Sequence, residues 1–310
     1  MKPLISIVTA CFNEGENVEE LVERIRSVMS LEKKYSYEHI LIDNASTDDT
    51  VEKLRALARK DKHIQVIVNA RNFGHIRSPY HAILQSTGDA TISMASDLQD
   101  PPELIHTYLR KWEEGFKVVM AVKTSSQEAK SMFLIRKIYY WFIDKISEVP
   151  QVHNATGTGI YDKVVIDALR GIKDPYPYFR GLISELGFRS TQIPFDQPRR
   201  SRGVSANNFM SLYDMAMLAV TKHSKLPLRF LTIVGFIVAL LSLCVSLGFV
   251  VAKLLMWNSF DAGIAPIMVG VFFFGAMQML FIGILGEYVS SILTQTRNLP
   301  LVIEEERINF

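Results

Sequence analysis

The run Ser96-Asp97-Leu98-Gln99-Asp100-Pro101-Pro102-Glu103 concentrates acidic side chains between a strand-like stretch, Ala90 to Ala95, and a helix-like one, Pro102 to Glu114. Asp97 therefore stands at the C-terminal tip of a strand. Open α/β sheets bind their ligands at that edge. Asp43 closes a second strand-like run, His39 to Asp43, in the same way. Two carboxylates on neighbouring strand tips can hold a ribose hydroxyl or a base on one side and a divalent metal on the other. The same residue types also suit a helix start. Asp100 can cap, Pro fits the first turn, and Glu103 completes a box-like cap. Asp43 to Thr50 reads as an Asx-rich turn in which Asp48 and Asp49 serve mainly as caps.

The elements that must position these groups follow from periodicity. Short apolar runs at Leu4 to Ala10, His39 to Asp43, Ile64 to Val68, Ala90 to Ala95 and Lys117 to Lys123 read as strands. Helical spacing covers Asn17 to Met29, Thr50 to Lys60, Ser78 to Gln85 and Pro102 to Glu114. Strands and helices alternating at short intervals predict an α/β fold with a mostly parallel, right-handed sheet flanked by helices. After the first strand stands Cys11-Phe12-Asn13-Glu14-Gly15-Glu16-Asn17, not a glycine fingerprint, and no Walker loop is present. Dinucleotide oxidoreductase and P-loop chemistry are disfavoured. A net charge of +2 over 310 residues implies no nucleic-acid partner. The two cysteines, Cys11 and Cys244, fall in a strand and an apolar span and fit free thiols in a reducing compartment.

Charge disappears toward the C-terminus. Phe230 to Ala252 and Ala262 to Gly286 are uncharged and long enough to span a bilayer. A short connector holding Lys253, Trp257, Asn258 and Asp261 makes them a two-helix transmembrane hairpin. Lys222, Lys225 and Arg229 before it, and Arg297 after it, put both flanks in the cytoplasm. No signal-like segment precedes the first strand, so the N-terminal domain is expected there too. Phe209 to Val220 and Met132 to Ile146 could each lie in the membrane interface or be ordinary core helices. Gly270, Gly275, Gly283 and Gly286 would allow close helix packing and a homo-oligomer. The expected organisation is a catalytic domain over 1–205, an amphipathic juxtamembrane helix over 206–228, two spans over 229–290 and a cytoplasmic tail over 291–310.

Together, Thr9 to Glu14, Asp43 to Thr50, Arg71-Asn72-Phe73-Gly74, Gly88-Asp89, Asp97 to Glu103, Arg199 to Ser205 and Gly286-Glu287-Tyr288 resemble the family-2 inverting glycosyltransferases of GT-A fold. The similar branch is the polyprenyl-phosphate glycosyltransferases. The resemblance covers nearly the whole chain. It implies that Thr9, Asn13, Glu14, Asp43 and Asn72 line the nucleotide pocket, and that Asp97 with Gln99 holds Mg²⁺ or Mn²⁺ on the donor diphosphate. It implies that Lys123 and Arg136 face the acceptor phosphate, and that Arg199, Arg202 and Ser205 belong to a loop closing over the phosphates. Asp97, Arg199 and Arg202 would carry the catalysis. The donor would be a nucleotide sugar, UDP-linked by preference, and the acceptor undecaprenyl phosphate at the cytoplasmic membrane.

The sequence departs from that pattern at three places. Ala95 stands where the family has the first of two aspartates. Thr156-Gly157-Thr158 replaces a Gly-Asp-Phe segment, and His75 replaces a lysine. The chemistry tolerates these changes. Magnesium needs only one or two protein carboxylates beside substrate phosphates. A phosphate monoester, with a second pKa of about 6, is already an anionic nucleophile at neutral pH. Transfer to another lipid or glycan, or a membrane scaffold without catalysis, are the alternatives.

Overall fold

The computed structural model describes residues 2–124, 155–198, 226–255, 264–297 and 299–310. β1 (Leu4–Cys11) lies inside the sheet, and Ile5, Ile7 and Val8 are buried. Burial on both faces explains its near-continuous apolar run. The chain builds to one side through α1 (Val18–Leu31), β2 (Ser36–Asp43), α2 (Thr50–Lys60) and β3 (Ile64–Asn69). It returns through α3 (Gly74–Gln85) to β4 (Ala90–Ala95), on the other side of β1, then runs through α4 (Leu104–Glu113) to β5 (Val118–Lys123). β6 (Ala155–Asp162), α5 (Lys163–Arg170), α6 (Phe179–Leu186) and β7 (Ser190–Phe195) follow. A last strand, β8 (Glu304–Ile308), completes an eight-stranded sheet of order β7-β5-β6-β4-β1-β2-β3-β8.

The fold is mixed α/β with a Rossmann-like sheet. β1, β2, β3 and β4 pair in parallel, as do β5 and β7. The sheet is mostly parallel, and two strands depart from that direction. β6 runs antiparallel between β4 and β5, and β8 runs antiparallel along β3. A Cβ on Gly159 of β6 would lie 2.2 Å from the Val119 carbonyl oxygen, so only glycine admits β5 this closely. The reversal of direction between the β1–β2 and β1–β4 neighbours puts a crevice at their carboxyl ends, where α/β sheets bind ligands.

Helices cover both faces of the sheet. On one, Leu21 and Ile25 of α1 and Ile105 and Leu109 of α4 pack with Ile5, Ile7, Ile92 and Val119. On the other, Tyr80 and Ile83 of α3 and Val165 and Leu169 of α5 pack with Val8, Ile40 and Ile42. Each such buried aliphatic side chain contributes about 1.5–3 kcal/mol. α3 begins at Gly74 rather than at Ser78 as the sequence suggests, and runs through Pro79. Pro79 has no N–H, so the helix forgoes the hydrogen bond to the carbonyl of His75.

α7 (Leu226–Leu255) and α8 (Ile264–Thr296) are of another kind. Phe236, Leu254 and Met279 are exposed rather than packed into a core. Among the described residues one segment, Phe273–Thr296, is long and apolar enough to cross a membrane. Its 24 residues extend about 36 Å. The apolar stretch in α7, Leu228–Ser242, is shorter. The expected pair of spans is thus matched in one segment only.

Candidate active site

The tips of β1 and β2 form the first side of the crevice. Asn13 takes a left-handed backbone (φ 54°), and its N–H donates to Ser46 Oγ at 2.9 Å. Its Oδ1 accepts the N–H of Thr47 at 2.8 Å. Asp43, fully buried at the end of β2, accepts the N–H of Ser46 at 2.8 Å and the Ser46 hydroxyl. Burial raises the Asp43 carboxyl above the usual range, and the Ser46 bonds work against that rise. Glu14 is also buried and accepts from Asn17 Nδ2 at 2.6 Å, while its N–H donates to Thr50 Oγ1. Burial opposes ionisation of Asp48, yet hydrogen bonds from Thr50 and Gly15 hold its carboxyl below the usual range.

Thr9, which the sequence reads as a pocket-lining residue, is fully buried and meets His39 Nε2 at 3.2 Å inside the sheet. Burial pushes His39 down to about 3, so this histidine is neutral.

Asn44, the residue after Asp43, was not singled out by sequence. Its Nδ2 donates to Asn72 Oδ1 at 2.9 Å and to the Gly74 carbonyl at 3.3 Å. Its Oδ1 accepts the Phe73 N–H at 2.9 Å and Asn69 Nδ2 at 3.2 Å. The Arg71-to-Gly74 loop is thereby tied to the tip of β2. The side chain of exposed Asn72 also accepts the Gly74 N–H, so it shapes the loop from within.

β4 delivers the second side. Asp97 is half-buried, and its Oδ1 accepts the Gln99 N–H at 3.1 Å. Leu98 adopts φ 57° and buries its side chain in the core beside α4. That winding leaves Asp97 at the strand tip. Asp100 does not cap a helix. It is buried and accepts the Thr158 hydroxyl across from β6. α4 starts only at Leu104, and Glu103 pairs with Arg24 at 2.6 Å. Gln99 Nε2 donates to the Pro198 carbonyl at 3.4 Å, which holds the chain leading to Arg199 beside the acidic loop.

The β4–β6 register pairs Ser93 with Gly159. Counting two residues on from each partner brings Ala95 and Gly157 to the same end of the two strands. Gly157 has φ 90°, and a Cβ there would meet no described atom within 4 Å.

This edge accompanies a sequence match to glycosyl transferase family 2 over residues 6–167. The chain belongs to glycosyltransferase family 2. It is similar to an uncharacterized glycosyltransferase of Synechocystis sp., 31% identical over 300 residues that cover 96% of this chain and 94% of that protein. The bactoprenol glucosyl transferase of Shigella phage SfX is 28% identical over 98% of this chain and 99% of its own length. A prophage bactoprenol glucosyl transferase homolog of Escherichia coli is 28% identical over 96% and 97% respectively.

In this glycosyltransferase the edge brings Asn13, Glu14, Asp43 and Asn72 together on one side and Asp97 and Gln99 on the other. Lys123 ends β5 opposite Phe195, on the far side of β6 from Asp97. Arg136, Arg199, Arg202 and Ser205 lie outside the described residues, as do the helices expected at 132–146 and 209–220. Among the described residues no group of three His, Cys, Asp or Glu could cage a metal ion. The Asp43 and Asp97 carboxylates are hard oxygen donors, of the kind that suits Mg²⁺ or Mn²⁺ rather than a softer metal. Thr158 escaped the sequence reading because its partner Asp100 is 58 positions away. Asn44 carried a weak signal as the amide next to a strand-end carboxylate.

Proposed function

We propose that this glycosyltransferase moves one sugar from a nucleotide donor, UDP-linked by preference, to polyprenyl phosphate at the cytoplasmic face of the inner membrane. The observation that carries the reading is that the chain leaves the sheet for apolar helices and comes back to it. β7 precedes α7, and β8, which pairs with β3, starts at Glu304, eight positions after α8 ends at Thr296. With both flanks in one domain, the segment between them crosses the bilayer an even number of times. If Phe273–Thr296 crosses, α7 supplies the second crossing, which supports a multi-pass protein with the organisation 1–205, 206–228, 229–290 and 291–310. The relatives named bactoprenol glucosyl transferases support a lipid-phosphate acceptor.

The reaction is a single in-line displacement. An oxygen of the lipid phosphate bonds to the anomeric carbon while the bond from that carbon to the β-phosphate oxygen breaks. The nucleoside diphosphate leaves with the electron pair, and the configuration inverts. The acceptor needs no general base, since its second pKa is about 6. That agrees with glycine at position 157. Asn13, Asp43 and the 71–74 loop orient the nucleotide. Asp97 and Gln99 would hold Mg²⁺ or Mn²⁺, which would supply positive charge to offset that of the leaving diphosphate. Arg199 and Arg202 stabilise the same charge, Ser205 belongs to their loop, and Lys123 and Arg136 draw in the acceptor phosphate.

Turnover tests the reading. Purified protein in bilayer discs is given undecaprenyl phosphate, Mg²⁺ or Mn²⁺ and a panel of nucleotide sugars, and nucleoside diphosphate release and lipid-linked sugar are followed together. A metal-dependent, inverted product is expected. Retention would exclude single displacement. Nucleotide binding without any product would point to another lipid or glycan acceptor, or to a scaffold of the same fold, the reading that Ala95 and Gly157 favour.

A further inference from the structure

The C-terminal segment reaches past the edge of the sheet to the loop that borders the nucleotide side of the crevice. β8 pairs with β3 from Val66 to Asn69. Beyond the strand, the Ala70 N–H donates to the Ile303 carbonyl at 2.9 Å. Arg77 Nη2 donates to the Pro300 carbonyl at 2.5 Å, and its guanidinium lies over the Phe73 ring, 5.3 Å from the centroid. Val302 is buried, and Leu301 packs against the cluster that holds Val8 and Ile42. The loop therefore has two anchors. Asn44 holds it from the β2 tip beside Asp43, and residues 300–303 hold it from outside.

We propose that residues 299–303 are a working part of the donor site, and that Arg77 is a positioning residue that fixes the 71–74 loop for the nucleotide through the Pro300 carbonyl. The inference rests on the nucleotide reading of this side of the crevice. Phe73, stacked under the Arg71 and Arg77 guanidiniums, transmits the restraint. The far end of the strap is fastened separately. Glu306 accepts from Arg55 at 2.6 Å, and Asn309 Nδ2 donates to the carbonyls of Ala58 and Ile64. Loss of the near clasp thus loosens the loop without undocking the strand.

The test is UDP binding, with Mg²⁺, to the full chain in bilayer discs, measured by calorimetry for wild type, Arg77→Ala, Arg77→Lys and Arg55→Ala. Arg77→Ala is expected to weaken UDP about tenfold, within the range carried by coupled packed networks. Arg77→Lys, which can still donate to the Pro300 carbonyl, should recover most of the loss. Arg55→Ala should bind UDP like wild type. In turnover, Arg77→Ala should raise the donor KM and leave kcat near wild type. Equal UDP affinity in wild type and Arg77→Ala, or a loss in Arg55→Ala as large as in Arg77→Ala, would overturn the positioning role. A wild-type protein that binds neither UDP nor, in the same titration, GDP or dTDP would overturn it together with the nucleotide reading, and is told apart because wild type itself is then silent.

Discussion

At the tips of β1 and β2 the polar side chains answer one another. Asn13 meets Ser46 and Thr47, Asp43 meets Ser46, and Asn44 gathers the 69–74 loop. At the tips of β4 and β6, Ala95 and Gly157 bring no polar side chain, and a Cβ at Gly157 would meet no described atom. One side of the crevice is thus assembled before any ligand arrives. The other carries Asp97 on a wound loop, where its Oδ1 accepts the Gln99 N–H at 3.1 Å. A preformed side binds the constant part of a donor at little ordering cost, because its rotamers are already fixed.

The largest effect should come from the Asp97 side. Asp97→Asn is expected to lower turnover about 10²–10³-fold, the loss typical of removing one preorganised electrostatic contact. Nucleoside diphosphate release measures it, and near-wild-type turnover would remove Asp97 from the mechanism. Two glycines then test how differently the strands are packed. Gly159→Ala drives a Cβ to 2.2 Å from the Val119 carbonyl oxygen. It should cost about 3 kcal/mol, at the upper end of overpacking. Gly157→Ala meets only the strain of a positive φ, about 1 kcal/mol. Thermal unfolding compares the two, and equal losses would mean that the space at Gly157 is filled.

On the assembled side, Asn44→Ala removes both partners of the loop. A cost of about 2 kcal/mol is expected, because buried groups are left unpaired. The donor KM should rise with kcat little changed, as steady-state kinetics can check. The smallest effect is one of pH. His39 titrates from 6.5 unfolded to about 3 folded, because it is buried. Its folded value is lowered, so the unfolded chain binds more protons between those limits. Its contribution to stability is therefore complete above 6.5 and declines as pH falls toward 3. From pH 6.5 to 5.5 the loss is about 1 kcal/mol. Denaturation of His39→Gln beside wild type isolates it, and identical pH dependence would contradict a neutral His39.

Much of this architecture was legible in the chain. Short apolar runs located β1 to β5, helical spacing located α1 to α4, and their alternation gave the helix-covered sheet. Asp43 and Asp97 could be recognised as strand-end carboxylates, because a strand-end position follows from where an apolar run stops. The reading failed where partners are distant. Asp100 looked like a helix cap because its neighbours suit one, whereas its carboxylate went to Thr158. β6 is poor in strand signal, with Gly157 and Gly159 inside it. β7 has prolines and polar residues around a short run.

The sequence by itself determined which segments are apolar, their periods and the order in which they occur, since these depend on neighbours a few residues apart. It determined the strand-end acids and the uncharged C-terminal stretches for the same reason. Tertiary structure alone decided that β6 enters antiparallel, because that choice depends on the gap between β4 and β5 and on the glycine that lets β5 approach. It also decided that the segment after α8 is not a loose tail. Glu304 and Glu306 look like solvated charges in isolation, and they become an edge strand because β3 leaves its hydrogen-bonding edge open and His81 and Arg55 stand ready to meet them.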